Sequence, residues 1–183
     1  MEWLWKIDGN LLLWIQEHLR WEKMNWFWKI ITSLGNGGWF WILLCIVLLA
    51  AGKTRKCGWY GLLSMGTGFL ITNICLKHLV ARTRPYEVVS GLFPLIEKPT
   101  DFSFPSGHTC ASFACAWILY HFLPRKYGVP ALILAALIAC SRMYLGVHYP
   151  TDILGGLVVA CCSAWFVLTV GKYWENKKIL KET

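Results

Sequence analysis

His148 and Asp152 stand four residues apart, with Pro150 between them, where a polar turn runs into a long apolar segment. Proline favours the first turn of a helix, so the pair straddles a helix start. A carboxylate in that place can hold the imidazole Nδ1–H and leave Nε2 free to attack. Taken alone, the same pair would also serve as a structural His–Asp contact. A second imidazole, His108, closes the run Phe104-Pro105-Ser106-Gly107-His108 just before another apolar segment. Ser106 is placed to cap that helix. The free N–H groups and positive dipole end of the helix make an anion site, which Gly107 lets a ligand approach closely. Lys77 and Arg84, seven apart, are expected on one helical face that Pro85 terminates. Arg142 stands near the end of a further apolar run, where an unpaired charge is costly. Cations near a span end ordinarily snorkel to lipid headgroups. Gathered at one point, however, these groups suit phosphoryl transfer, which demands in-line positioning and neutralisation of three phosphate oxygens.

The segments that must carry these residues are strongly apolar. Of 183 residues, 56% are hydrophobic and 15% charged, and the mean hydropathy is +0.47. A single domain of all-α membrane type is expected, a bundle of about five transmembrane helices. The spans are read at Cys57–Val80, Thr109–Leu123, Val129–Gly146 and Ile153–Tyr173, with a short fifth at Gly38–Gly52. Residues 1–35 differ: Glu17, His18, Arg20, Glu22, Lys23 and Lys29 interrupt them, interleaved with tryptophans. Amphipathic interfacial helices fit that pattern, with indoles at headgroup depth, and a sixth, tilted span is the alternative reading. The catalytic core is expected over 36–175 and a tail over 176–183.

The net charge of +8 does not point to nucleic acid, because the bases lie between apolar segments. Lys53, Arg55, Lys56, Arg125, Lys126, Lys172, Lys177, Lys178 and Lys181 all fall on one side of a five-span bundle. The positive-inside rule makes that side, with the C-terminus, cytoplasmic. The polar clusters then face the extracytoplasmic side. Cys45, Cys75, Cys115, Cys140, Cys161 and Cys162 lie within apolar runs without metal-ligand spacing, so packing between helices is expected of them. The chain start shows no cleavable signal peptide and the chain end no lipidation motif.

Lys77…Arg84-Pro85, Pro105-Ser106-Gly107-His108 and Ser141-Arg142…His148…Asp152 together resemble the three-part signature of the type 2 phosphatidic acid phosphatase family. The resemblance covers about Asn36 to the end of the last span. It implies that His148 is the nucleophile and that Asp152 orients it and stabilises its charge. His108 is implied as the acid that protonates the leaving oxygen and then the base that activates water. Lys77, Arg84, Arg142, Ser106 and the Gly107 N–H would hold the phosphate. No metal or cofactor is expected, since Asp101 and Asp152 are the only aspartates near these motifs. Vanadate is expected to inhibit as a transition-state mimic. Arg82, outside the signature, reads as a loop or headgroup contact. The loop Tyr86 to Phe104, with Phe93, Phe102 and Phe104, is expected to cover the pocket. The expected substrate is a membrane lipid phosphate in the bilayer, with undecaprenyl diphosphate ahead of phosphatidylglycerophosphate and phosphatidic acid. A transporter would also carry intramembrane cations, but it has no need of the His148–Asp152 pair. A silent lipid-binding relative would be expected to lack one of His108, His148 or Asp152. The soluble vanadium haloperoxidases share the signature but not the apolar spans.

Overall fold

Among the described residues every regular element is a helix, as the helical periodicity and apolar length of the segments require. The computed structural model describes residues 2–182. Met1 and Thr183 lie outside the described residues, as do the side chains of Glu2, Leu4, Ile179, Lys181 and Glu182, and with them the tail position expected of Lys181. The chain runs through α1 (Glu2–His18), α2 (Glu22–Ser33), a 3-10 turn (Asn36–Gly38) and α3 (Trp39–Ala50). Next come α4 (Arg55–Phe69), a π-helical stretch (Leu70–Leu76) and α5 (Lys77–Val80), which continue one another. The short α6 (Pro85–Val88) follows, then α7 (Gly107–Phe122), α8 (Arg125–Tyr144) and α9 (Pro150–Glu182).

The membrane bundle is all-α, as expected. Among the described residues, three stretches are long and apolar enough to cross, Arg55–Val88, Arg125–Tyr144 and Pro150–Lys178. Glu22–Ser33 and Asn36–Ala50, bent by 44° at their junction, make a fourth if taken as one broken span. The boundary expected between interfacial helices and core therefore falls inside that bent pair. α7 has 16 residues, about 24 Å at ~1.5 Å per residue, short of a ~30 Å hydrocarbon layer. Pro105 and Pro124 bound it, and it packs centrally against α4, α8 and α9. Cys110, Ala114, Cys115, Ala116, Ile118 and Leu119 on α7 are buried. Small residues of this kind let membrane helices approach closely.

Two polar pairs in this core are matched across helices. Trp41 Nε1 donates to Ser112 Oγ at 3.0 Å, and Ser64 Oγ to the Ala114 carbonyl at 3.0 Å. The cysteines divide. Cys45 and Cys115 are buried with their sulfurs 3.5 Å apart, whereas Cys75, Cys140 and Cys162 face outward and Cys161 is half-buried. Those four do not pack between helices as expected. An apolar thiol costs little on a lipid-facing surface, so hydropathy alone does not separate the two positions. At the end of the bundle away from the polar motifs, Lys56 pairs with Glu175 at 2.6 Å and ties α4 to α9.

Candidate active site

α8 ends at Tyr144, and Gly146, at φ 74°, turns the chain in the left-handed region open to glycine. α9 then starts at Pro150. His148 hangs in that turn, 2% exposed. Its Nδ1 lies 3.3 Å from Asp152 Oδ2, and its Nε2 lies 3.4 Å from Arg84 Nη1. A carboxylate accepts and a guanidinium donates, so the two neighbours fix one tautomer: Nδ1–H on Asp152, a lone pair on Nε2. Burial pushes the imidazole down to about 4, with Asp152 opposing and Arg84 and Arg142 reinforcing. His148 is therefore neutral at neutral pH.

Asp152 is fully buried behind the ring. Its Oδ2 also accepts from Ser103 Oγ at 2.5 Å and Tyr149 N at 2.8 Å, and its Oδ1 from Arg82 Nη1 at 2.7 Å. Arg82 is thus not the loop or headgroup contact expected of it. It is buried, with Asp8 of α1 on its other nitrogen at 2.7 Å.

Lys77 and Arg84 meet, though not on one helix. The helix ends at Val80, Ala81 takes the left-handed region at φ 47°, and Arg84 lies extended ahead of α6. Pro85 opens α6 as its first residue and does not close the preceding helix. Both cations converge on Asp101: Lys77 Nζ pairs with Oδ2, and Arg84 Nη2 reaches Oδ1 at 2.6 Å. Arg84 also donates to the Asp101 and Val147 carbonyls. Partial burial works to raise the Asp101 carboxyl, but Lys77 and Arg84 prevail and hold it at about 2. Arg142, 3% exposed, donates to Thr32 Oγ1 of α2 at 2.7 Å.

His108 stands in the first turn of α7, its Nε2 2.9 Å from Asn36 Oδ1. Ser106 caps α7, its Oγ accepting from Thr109 N at 3.4 Å and Thr109 Oγ1 at 3.0 Å. Ser106 is fully buried. Gly107 abuts Asn73 of the π-helical stretch, a local widening that often marks functional sites.

A cavity of about 900 Å³ is lined by Lys77, Arg84, Gly107, His108, Arg142 and His148, with Asp101 among them. Asp152 stands behind His148, and Ser106 is turned to its own helix. The cavity continues past Asn36 and Asn73 to apolar Ile42, Leu62, Met65 and Phe69. Such a space can hold a tetrahedral anion between two imidazoles and leave room for an apolar tail. The loop expected to cover it is stitched in place through Ser103, Asp101 and Tyr86, while Phe93 points outward.

Sequence reasoning misses Asp8, Thr32, Asn36, Asp101 and Ser103 as partners of the site residues. The signal for Asp8 is a lone carboxylate in a tryptophan-rich stretch, and for Asn36 a polar residue against paired glycines.

The PAP2 superfamily profile matches residues 58–176. The chain is 30% identical over 139 residues to an undecaprenyl-diphosphatase of Sulfolobus acidocaldarius, covering 76% of this chain and 67% of that one. It is 35% identical over 150 residues to phosphatidylglycerophosphatase B of Bacillus subtilis, covering 73% and 70%. Among solved structures, it resembles a transmembrane PAP2-type phosphatidylglycerolphosphate phosphatase from Bacillus subtilis. The TM-score is 0.77 at 27% identity, over 94% of this chain and 88% of that one.

Proposed function

The chain belongs to the PAP2 superfamily, and from that premise we propose that it is a membrane lipid phosphatase acting through a phosphohistidine on His148, with undecaprenyl diphosphate as its substrate. The carrying observation is the placement of the His148 ring, with Nδ1 3.3 Å from the buried Asp152 carboxylate and Nε2 3.4 Å from Arg84, which favours an Nε2 lone pair. Lys77, Arg84 and Arg142 supply the charge that three equatorial oxygens require, and the α7 N-terminus adds backbone N–H groups.

In the first step Nε2 attacks phosphorus as the bond to the leaving oxygen breaks, and His108 gives that oxygen its proton. Asp152 stabilises the positive charge that reaches the ring. In the second, His108 takes a proton from water, the oxygen attacks phosphorus, and the P–N bond returns its electrons to Nε2. Phosphate leaves and both imidazoles are restored. Neither step calls on a metal ion. The apolar flank at Ile42, Leu62, Met65 and Phe69 suits a lipid chain alongside α3 and α4. The names of the relatives favour undecaprenyl diphosphate, with phosphatidylglycerophosphate next. The extracytoplasmic side is proposed for the site and the cytoplasmic side for the C-terminus, from the basic loops at the other end.

The test is phosphate release by the purified chain in detergent with EDTA, over undecaprenyl diphosphate, phosphatidylglycerophosphate and phosphatidic acid, beside His148→Ala. Release that survives EDTA, is fastest on the diphosphate and vanishes in the variant is the expected result. Release retained by His148→Ala would remove the histidine mechanism, and loss with EDTA would remove its metal independence.

A further inference from the structure

We propose that Asp8 of α1, acting through Arg82, is a positioning residue for the His148–Asp152 pair, so that a helix outside the matched region 58–176 completes the catalytic machinery. The inference rests on His148 being the nucleophile.

Asp8 is 2% exposed and Arg82 8%. One guanidinium forks between two carboxylates: Nη1 donates to Asp152 Oδ1 at 2.7 Å, and Nη2 to Asp8 Oδ2 at 2.7 Å. Thr151 closes the ring. Its Oγ1 accepts from Arg82 Nη1 at 2.6 Å and donates to Asp8 Oδ2, and its N–H reaches Asp8 Oδ1 at 3.4 Å. Aromatic rings flank the guanidinium, with Tyr149 3.9 Å and Trp5 5.4 Å from Cζ to ring centroid. Arg82 and Asp8 are absent from the cavity lining, so neither meets substrate phosphate.

Charge explains why a second carboxylate belongs there. As Nε2 takes the phosphoryl group, positive charge spreads to the ring and Asp152 must balance it. Arg82 paired with Asp152 alone would cancel that carboxylate. Asp8 shares the guanidinium, and the trio of two carboxylates and one cation keeps a net negative charge beside the imidazole. Planar, two-sided pairing of this kind suits arginine and is beyond lysine. The bonds to Thr151 also fix the turn that carries His148, so α1 sets both the orientation and the field of the nucleophile. A staple that merely held α1 to the bundle would do neither.

Asp8→Asn keeps the shape and removes the charge. With a short-chain isoprenyl diphosphate in detergent, kcat is expected to fall about tenfold, the low end of what loss of an outer-shell partner costs, with KM within about twofold. In an Arg82→Gln background the same change is expected to cost nothing further, since coupled residues lose additivity. Wild-type kcat in Asp8→Asn, a KM that rises in step with the loss, or fully additive losses would each overturn the inference. Gel filtration and thermal unfolding check the fold. If Asp8→Asn does not fold, Thr151→Val breaks the same ring, and its unchanged kcat would overturn the proposal equally. His148→Ala separates the two levels. Turnover by that variant defeats the nucleophile assignment, whereas an inactive His148→Ala with an unaffected Asp8→Asn defeats only the role of Asp8.

Discussion

His148 illustrates how neighbours divide the duties of one imidazole between its two nitrogens. Asp152 claims Nδ1–H and Arg84 faces Nε2. Burial keeps the ring neutral by lowering it to about 4. Two consequences share a direction. On kcat/KM, the acid limb that His148 imposes on the free enzyme is expected near pH 4, well below an ordinary histidine at about 6.5; a limb at 6.5 would contradict its burial. On stability, the folded-state value is depressed, so the contribution is fully present above about pH 6.5 and is lost as pH falls through the interval down to about 4. Thermal unfolding across that window would register it. The His148–Asp152 spacing was legible in the sequence because four residues across a helix start bring two side chains together on local geometry alone. The partners of Asp152 were not. Arg82 and Asp8 are 74 residues apart, and no local periodicity links them. The convergence of Lys77 and Arg84 was legible for a reason that fails: they meet although the helix between them ends at Val80.

At the scale of elements, the turn between α2 and α3 governs His108. A Cβ on Gly35 would lie 2.7 Å from His108 Cδ2 and 2.8 Å from Ile138 Cγ2. Either the imidazole or α8 must then shift. Gly35→Ala is expected to lower kcat by up to about 100-fold, the scale on which a displacement of about 1 Å acts in a positioned site. Steady-state kinetics on folded protein would check it; a kcat within twofold of wild type would mean that Ile138 gives way and His108 stays. The helices themselves were readable from apolar length, with ends that differ by a few residues where caps and prolines decide. Their membrane status was harder to read. α2 and α3 are short pieces joined by a Gly-rich turn, and whether two such pieces make one span is set by the angle between them, which hydropathy does not encode. α7 shows the converse: it is short for a bilayer, yet lies at the centre because its neighbours cover it.

The molecule as a whole holds its polar groups at one end and its basic loops at the other, around a bundle of small-residue contacts. The resting site is also filled from within, because Asp101 already occupies Lys77 and Arg84. A side chain tethered this way competes at a millimolar effective concentration or above, as short tethers do. In the proposed cycle, substrate enters by exchange for this carboxylate, and inorganic phosphate leaves when the carboxylate returns. The cost is some affinity, and the return is weaker product inhibition. Asp101→Asn, which keeps the shape without the charge, is expected to lower the phosphate concentration that half-inhibits turnover by about tenfold, or ~1.4 kcal/mol. Phosphate inhibition curves for the two proteins would show it, and coincident curves would mean that Asp101 does not compete. On this account the loop is less a cover for the site than its resident counter-ion, and the cycle of the enzyme is a cycle of anion exchange.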